Sequence, residues 1–367
     1  MQFKEYGDDW IIYPVEGYGN ADIVRSVIRT HKPDILWFMT DPRFYYWLWQ
    51  IENEIRSLVP MVYYHVWDNF PLPYFNKPLY ESTDVIVTIS KVTHEIVKNV
   101  APKVDEYYLP HAVDDKIFKR LPDDVISNFK RDNFKGETHK TMFFWNNRNA
   151  RRKQSGSIIW WFKDFLDIVG HDKAMLIMHT DPKDENGQDL NAIINHLGLD
   201  KHNAVKLSQQ KIPPEHLAAL YNAADAVINV SDAEGFGLGT LEALSCETPI
   251  IVNMTGGLQE QVTDGNEWFG VGIEPSSKAV IGSQQVPYIY EDRISKEDFV
   301  KALKTIHDMT PAQRREMGKK GREHVLSNYG FENFKQKWIE IMTSTHEKYG
   351  SWNTRKLYKP WELRTIW

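Results

Sequence analysis

A chain of 367 residues with 42% hydrophobic and 26% charged residues is globular rather than disordered, and too long for one ordinary core. Lys and Arg total 44 against 50 for Asp and Glu, a net charge of -6. Without a basic excess to release counterions, gripping nucleic acid is excluded as the main activity. The single cysteine, Cys246, excludes a disulfide framework and fits a reducing compartment. The opening MQFKEYGDDW lacks a signal-peptide pattern, and no apolar run approaches the length needed to span a bilayer, so a cytoplasmic location is expected.

Along the chain, short apolar runs alternate with helical patterns. ADIVRSVIRTH predicts a helix, DILWFM (34–39) a strand and YYWLWQIENEIRSL a second helix. PMVYYHV (60–66), DVIVTIS (84–90) and KVDEYYLP (103–110) read as strands, with KVTHEIVKNV as a helix between the last two. The polar stretch 123–140 breaks the rhythm and marks a domain junction. Beyond it lie strands at KTMFFWN (140–146), AMLIMHT (174–180), NAVKLS (203–208), DAVINVS (225–231) and TPIIVNM (248–254). SIIWWFKDFLDIVG, PEHLAALYNAA and TLEALSC are the helices among them, and from about 294 the pattern is helical throughout. Strand then helix, repeated, predicts α/β architecture: two Rossmann-like, doubly wound parallel-sheet domains facing across a cleft. We expect domains at 1–130 and 138–344, with 345–367 packing back on the first.

Within 231–244 the sequence SDAEGFGLGTLEAL joins a strand to a helix through a glycine-rich turn. Such a turn offers exposed N–H groups to phosphate oxygens. Its spacing is G-x-G-x-G, not the G-x-G-x-x-G of a dinucleotide fold. Glu234 and Glu242 bracket the loop Gly235, Phe236, Gly237 and Leu238. Taken singly, Glu242 reads as a helix-dipole acid and Glu234 as a solvated loop acid. Together they suit a ligand carrying both hydroxyls and a diphosphate.

The segment EGFGLGTLEAL, with seven residues between Glu234 and Glu242, resembles the E-x7-E signature of glycosyltransferase family 4, retaining enzymes of GT-B fold. SCETPIIVNMTGGLQEQVTDG, FFWNNRNARRKQSG and PHAVDDKIF are similar to three further elements of that family and stand in the family's order. The resemblance implies a transfer of a hexose from a GDP-sugar or UDP-sugar to a glycan or to another protein-linked or lipid-linked hydroxyl acceptor. The sequence holds no D-x-D, the aspartate pair that binds a divalent metal in the other major transferase fold, so no metal is expected; no further cofactor is expected either, and glycan biosynthesis is the expected setting. By the same resemblance Arg148 and Lys153 hold the departing diphosphate, aided by amides near Gly256 and Gly257. Glu234 binds hydroxyls of the transferred sugar, Glu242 binds the ribose, and His65 in YYHVWDN reaches the sugar from the first domain.

Two departures from the family pattern stand out. The family opens with a strand and a Gly-rich turn, but in this opening the only glycine pair, Gly17 and Gly19, follows a short, proline-broken strand, so the first domain is expected to carry a diverged version or to lack its usual first strand and helix. Glu247 occupies a place where the family has glycine, with little effect expected. Other readings are a non-catalytic nucleotide-sugar-binding protein of the same fold and a nucleotide-dependent epimerase or oxidoreductase; GYGNAD does not satisfy the motif the latter requires. The aromatic cluster RFYYWLWQ (43–50) suits a glycan, a lipid-linked acceptor or peripheral membrane contact, though rings of this kind are more often buried in helix packing. Oligomeric state is not readable.

Overall fold

The computed structural model describes residues 9–361. Helix α1 (Ala21–His31) starts at Asn20, whose side chain accepts from the amides of Asp22 and Ile23. It leads into a parallel sheet of β1 (Leu36–Thr40), β2 (Met61–His65), β3 (Val85–Thr88) and β4 (Asp105–Tyr108), in that spatial order, with α2 (Lys91–Val100) crossing between the last two. Strand order here follows chain order, and among the described residues β1 is the edge strand and no strand precedes it. β2 and β3 are buried on both faces, as apolar runs without alternation require.

The expected long helix over 45–58 is broken into a 3-10 turn Pro42–Tyr45 and two short helices, Tyr46–Trp49 and Glu52–Arg56. Leu48 and Trp49 are buried, and Phe38 stacks on Tyr63 at 4.8 Å while Trp49 meets Tyr63 edge-on. Part of the aromatic cluster therefore serves packing. Among the described residues no helix is long and apolar enough to cross a membrane.

The polar stretch after β4 is not a loop. It forms α3 (Asp123–Asn133), with Asp123 and Asp124 in the first turn and Lys130 and Arg131 in the last, charges that complement the helix dipole. The second sheet contains β5 (Thr141–Asn146), β6 (Ala174–His179), β7 (Val205–Ser208), β8 (Ala226–Asn229), β9 (Ile250–Asn253) and β10 (Gly270–Ile273) in the spatial order β10-β9-β8-β5-β6-β7, all parallel. The chain runs outward from β5, returns, and runs the other way from β8. The order reverses between β5 and β8, the place where open α/β sheets bind ligands.

Helices α4 (Ser155–Val169), α5 (Pro214–Ala223) and α6 (Leu238–Ser245) make three of the second sheet's five crossovers. β10 was not foreseen in the sequence, nor were β11 (Ser277–Ile281) and β12 (Ile289–Arg293), which form an antiparallel hairpin that reaches across to the first unit. The Tyr290 amide donates to the Phe70 carbonyl at 2.7 Å, and Asn69 Nδ2 and Thr255 Oγ1 both donate to Asp292 Oδ2, at 2.5 and 2.8 Å. The chain then forms α7 (Lys296–Asp308), α8 (Pro311–Asn328) and α9 (Phe331–Tyr349). Trp338 of α9 meets Tyr64 edge-on, and Arg355 donates to Asp84 at 2.7 Å, so the C-terminal segment lies against the first unit. The remainder of that expected segment, 362–367, falls outside the described residues.

Candidate active site

A cavity of about 340 Å³ opens between the two units, at the carboxyl ends of β2, β3 and β4 on one side and of β5 and β8 on the other. The first unit contributes Val66, Asp68, Ile89 and His111. The second contributes Asn147, Arg152 and Lys153 from the loop after β5, then Asn229 and the run Glu234 to Gly239 after β8.

Lys153 sits in the 3-10 turn Arg151–Lys153, fixed by its amide bond to the Ala150 carbonyl at 2.8 Å. Its ammonium forms a buried ion pair with Glu234 Oε2. Asn229 Nδ2 and Ser231 Oγ also donate to that oxygen at 3.3 Å, and the Arg152 guanidinium lies 3.9 Å away. Burial pushes the Glu234 carboxyl up, but the charges of Lys153 and Arg152 outweigh it and hold the group below its ordinary value. It is therefore an ionised acceptor at neutral pH.

Arg148 does not share this cluster. Its guanidinium is bonded to Asp184 at 2.6 and 3.1 Å and remains largely exposed. Arg152 takes its place in the cavity, between Glu234 and Asp68, the latter 4.0 Å away on the facing unit.

Gly237 has φ +94, a conformation open to glycine, and precedes α6, whose first residues Leu238 and Gly239 line the cavity. The Phe236 ring is buried and packs edge-on against His111 at 5.3 Å. Gly256 and Gly257 lie outside the cavity lining. A Cβ on Gly256 would stand 1.7 Å from the Glu234 carbonyl oxygen, and the Gly257 amide already donates to that oxygen at 3.1 Å. These glycines allow the two loops to nest, and the Gly257 amide is not free for a diphosphate.

Glu242, on α6, is half-buried and is not among the residues that line the cavity. It accepts from the Tyr221 hydroxyl at 2.7 Å, and Asn146 Nδ2 donates to the same hydroxyl at 2.8 Å. Burial raises the Glu242 carboxyl to about 7, only partly opposed by the Tyr221 bond.

His65 is not in the cavity. Alternation along β2 puts it with Tyr63 on the face opposite Tyr64 and Val66. It is fully buried, with Nδ1 3.0 Å from the Tyr63 hydroxyl and Nε2 2.7 Å from that of Tyr80. Burial lowers it to about 3, so it is a neutral structural histidine. Sequence reasoning passed over Asp68, His111 and Arg152, although each stands within a quoted motif; the signal was their place just beyond the carboxyl end of a strand.

Residues 165–324 match the family described as glycosyl transferases group 1. The D-inositol 3-phosphate glycosyltransferase of Corynebacterium jeikeium is 46% identical over 68 residues, covering 18% of this chain and 16% of that protein. That of Arthrobacter sp. is 30% identical over 114 residues, covering 31% and 26%. The chain thus matches about a quarter or less of these relatives' length. Among solved structures, sucrose-phosphate synthase from Thermosynechococcus elongatus superposes with a TM-score of 0.70 at 17% identity, over 89% of this chain and 77% of that one. Anabaena HepE in complex with UDP-glucose gives 0.68 at 17% identity, over 90% and 86%. The glycosyl transferases group 1 segment therefore lies within a GT-B fold of two Rossmann-like units.

Proposed function

We propose that the chain is a retaining glycosyltransferase that moves a hexose from a UDP-sugar or GDP-sugar to a hydroxyl acceptor without a metal ion. The observation that carries this reading is the convergence of Lys153, Arg152 and Glu234 with a glycine-rich loop at the strand-order reversal of a parallel sheet. Likeness to HepE, which holds UDP-glucose, supports a nucleotide sugar as donor.

In this scheme the acceptor hydroxyl attacks C1 of the hexose while the bond from C1 to the diphosphate oxygen breaks, and the hydroxyl proton passes to the departing diphosphate. Charge grows on the leaving group, and fixed cations placed where it develops supply the largest catalytic effect. Arg152 and Lys153 fill that role. Glu234 accepts from sugar hydroxyls, and Glu242 serves the ribose once the ligand extends past Gly239. Ligand binding must loosen the pair between Lys153 and Glu234, so part of the binding energy goes into rearranging it.

A thermal-shift panel of nucleotide diphosphates and nucleotide sugars, followed by a transfer assay with and without chelator, tests the reading. Stabilisation by one UDP-hexose or GDP-hexose and chelator-resistant transfer are expected. Stabilisation without transfer to any hydroxyl acceptor and without donor hydrolysis would make it a nucleotide-sugar-binding protein, and no stabilisation at all would overturn both.

A further inference from the structure

His111 lines the same cavity as Glu234 and the Gly235–Gly237 turn, but from the opposite unit. Its Nδ1 lies 2.8 Å from the Tyr64 hydroxyl, and that hydroxyl also contacts the Leu109 carbonyl at 3.0 Å. A carbonyl can only accept, so the one phenolic proton goes to Leu109. The Tyr64 oxygen is left as acceptor, and Nδ1 must carry the imidazole proton. Nε2 is then a bare lone pair, and among the described residues no group is bonded to it.

We propose that His111 binds the transferred sugar, with Nε2 accepting a hydrogen bond from one of its hydroxyls; this rests on the nucleotide-sugar reading above. The tautomer decides the chemistry. A lone pair repels phosphate oxygens, which carry no proton, and the cations that would meet phosphate are Lys153 and Arg152. A sugar hydroxyl both donates and accepts, so a ring of hydroxyls needs acceptors on the wall as well as amide donors. Glu234 is one such acceptor and His111 is the second. The imidazole is neutral at physiological pH, because burial pulls it down to about 4, and it therefore holds the lone pair without competing protonation. Tyr64 is the positioning residue: it fixes the tautomer without touching substrate.

The test uses the full chain, the UDP-hexose or GDP-hexose that stabilises it, the matching diphosphate, and the monodeoxy analogues of that hexose. One monodeoxy analogue should bind wild type about tenfold more weakly, the scale of one lost hydrogen bond. His111→Phe, which keeps a ring against Phe236, should bind the nucleotide sugar about tenfold more weakly and the bare diphosphate as wild type does. In that variant the discrimination against the same analogue should vanish. His111→Gln, which places an amide oxygen near the Nε2 position, should recover most of the loss. Parallel loss for diphosphate and sugar, no loss for either, or unchanged analogue discrimination in the Phe variant would overturn the proposal. So would wild type that treats every monodeoxy analogue alike, a result independent of any variant's folding. If no diphosphate binds wild type, it is the nucleotide-sugar reading that fails.

Discussion

Lys153 and Glu234 are paired within the ligand cavity, each 9% exposed, with Lys153 entering from the turn after β5 and Glu234 from the turn after β8. A buried pair of this kind is worth little against an apolar replacement of both partners. Removing one partner is costly, because the other charge is left uncompensated. Lys153→Met should therefore lower unfolding free energy by about 3 kcal/mol, and the double variant Lys153→Met with Glu234→Gln should recover at least half of that. Neither should transfer sugar. Urea denaturation read beside the transfer assay checks both points, and strictly additive stability losses would show that the two side chains do not act as a pair.

The guanidinium that meets the diphosphate is expected to be Arg152, not Arg148. Arg148 is engaged with Asp184 outside the cavity, whereas Arg152 lies between Asp68 and Glu234 inside it. A charge-assisted hydrogen bond contributes about 1.5–3 kcal/mol, so Arg152→Ala should weaken diphosphate binding roughly 10- to 100-fold. Arg148→Ala should change it by less than about threefold, the size of an exposed ion-pair effect. Calorimetric titration of both variants with the same nucleotide diphosphate separates them, and the reverse ranking would restore the assignment drawn from the motif.

Glu242 gives the fold a pH dependence. Its carboxyl is raised by burial to about 7 in the folded state, above its value in an unfolded chain. The unfolded state therefore gives up this proton first as pH rises. The stability linked to the group is fully present below the unfolded value and is lost as pH climbs through about 7. The loss is on the order of 2–3 kcal/mol. Glu242→Gln removes the titration, so the difference in melting temperature between variant and wild type should move in the variant's favour between pH 5 and pH 8, roughly the window of that shift. A difference independent of pH would show that Glu242 is solvated.

Much of this molecule was legible because apolar runs bounded by polar residues specify buried parallel strands. KTMFFWN and AMLIMHT needed no tertiary information to be placed. The hairpin at 277–293 was not legible: β11 is mostly exposed and mixes Ser, Lys and Ala with Val and Ile, so no period stands out. In the site, Lys153 and Glu234 sit in the turns after β5 and β8 and meet there, whereas Glu242 lies in α6 outside the cavity lining. His65 misled because a motif fixes a residue's place along a strand but not the face it takes. One step along β2 separates Tyr64, which supports His111, from a histidine sealed between two tyrosines.

That distinction gives a test of its own. Among the described residues the His65 ring bonds only to Tyr63 and Tyr80, so His65→Leu should unfold more easily yet transfer sugar at near-normal kcat per folded molecule. Stability should fall by about 1–3 kcal/mol, the cost of leaving buried hydroxyls unsatisfied. A circular-dichroism melt beside initial-rate kinetics measures the two quantities separately. A large drop in kcat with unchanged stability would return the histidine to the reaction.

Glu247 was expected to matter little, but the backbone says otherwise. It follows α6 with φ +62, a left-handed conformation in which a side chain is disfavoured. A non-glycine residue there costs about 1–2 kcal/mol, while glycine adds about 0.5–1 kcal/mol of entropy to the unfolded chain. Glu247→Gly should therefore stabilise the protein by up to about 1 kcal/mol. Glu247 is not among the residues that line the cavity, so transfer should not change. Chemical denaturation of the variant decides it: a loss of stability would mean that contacts of the Glu247 side chain outweigh the strain in its backbone.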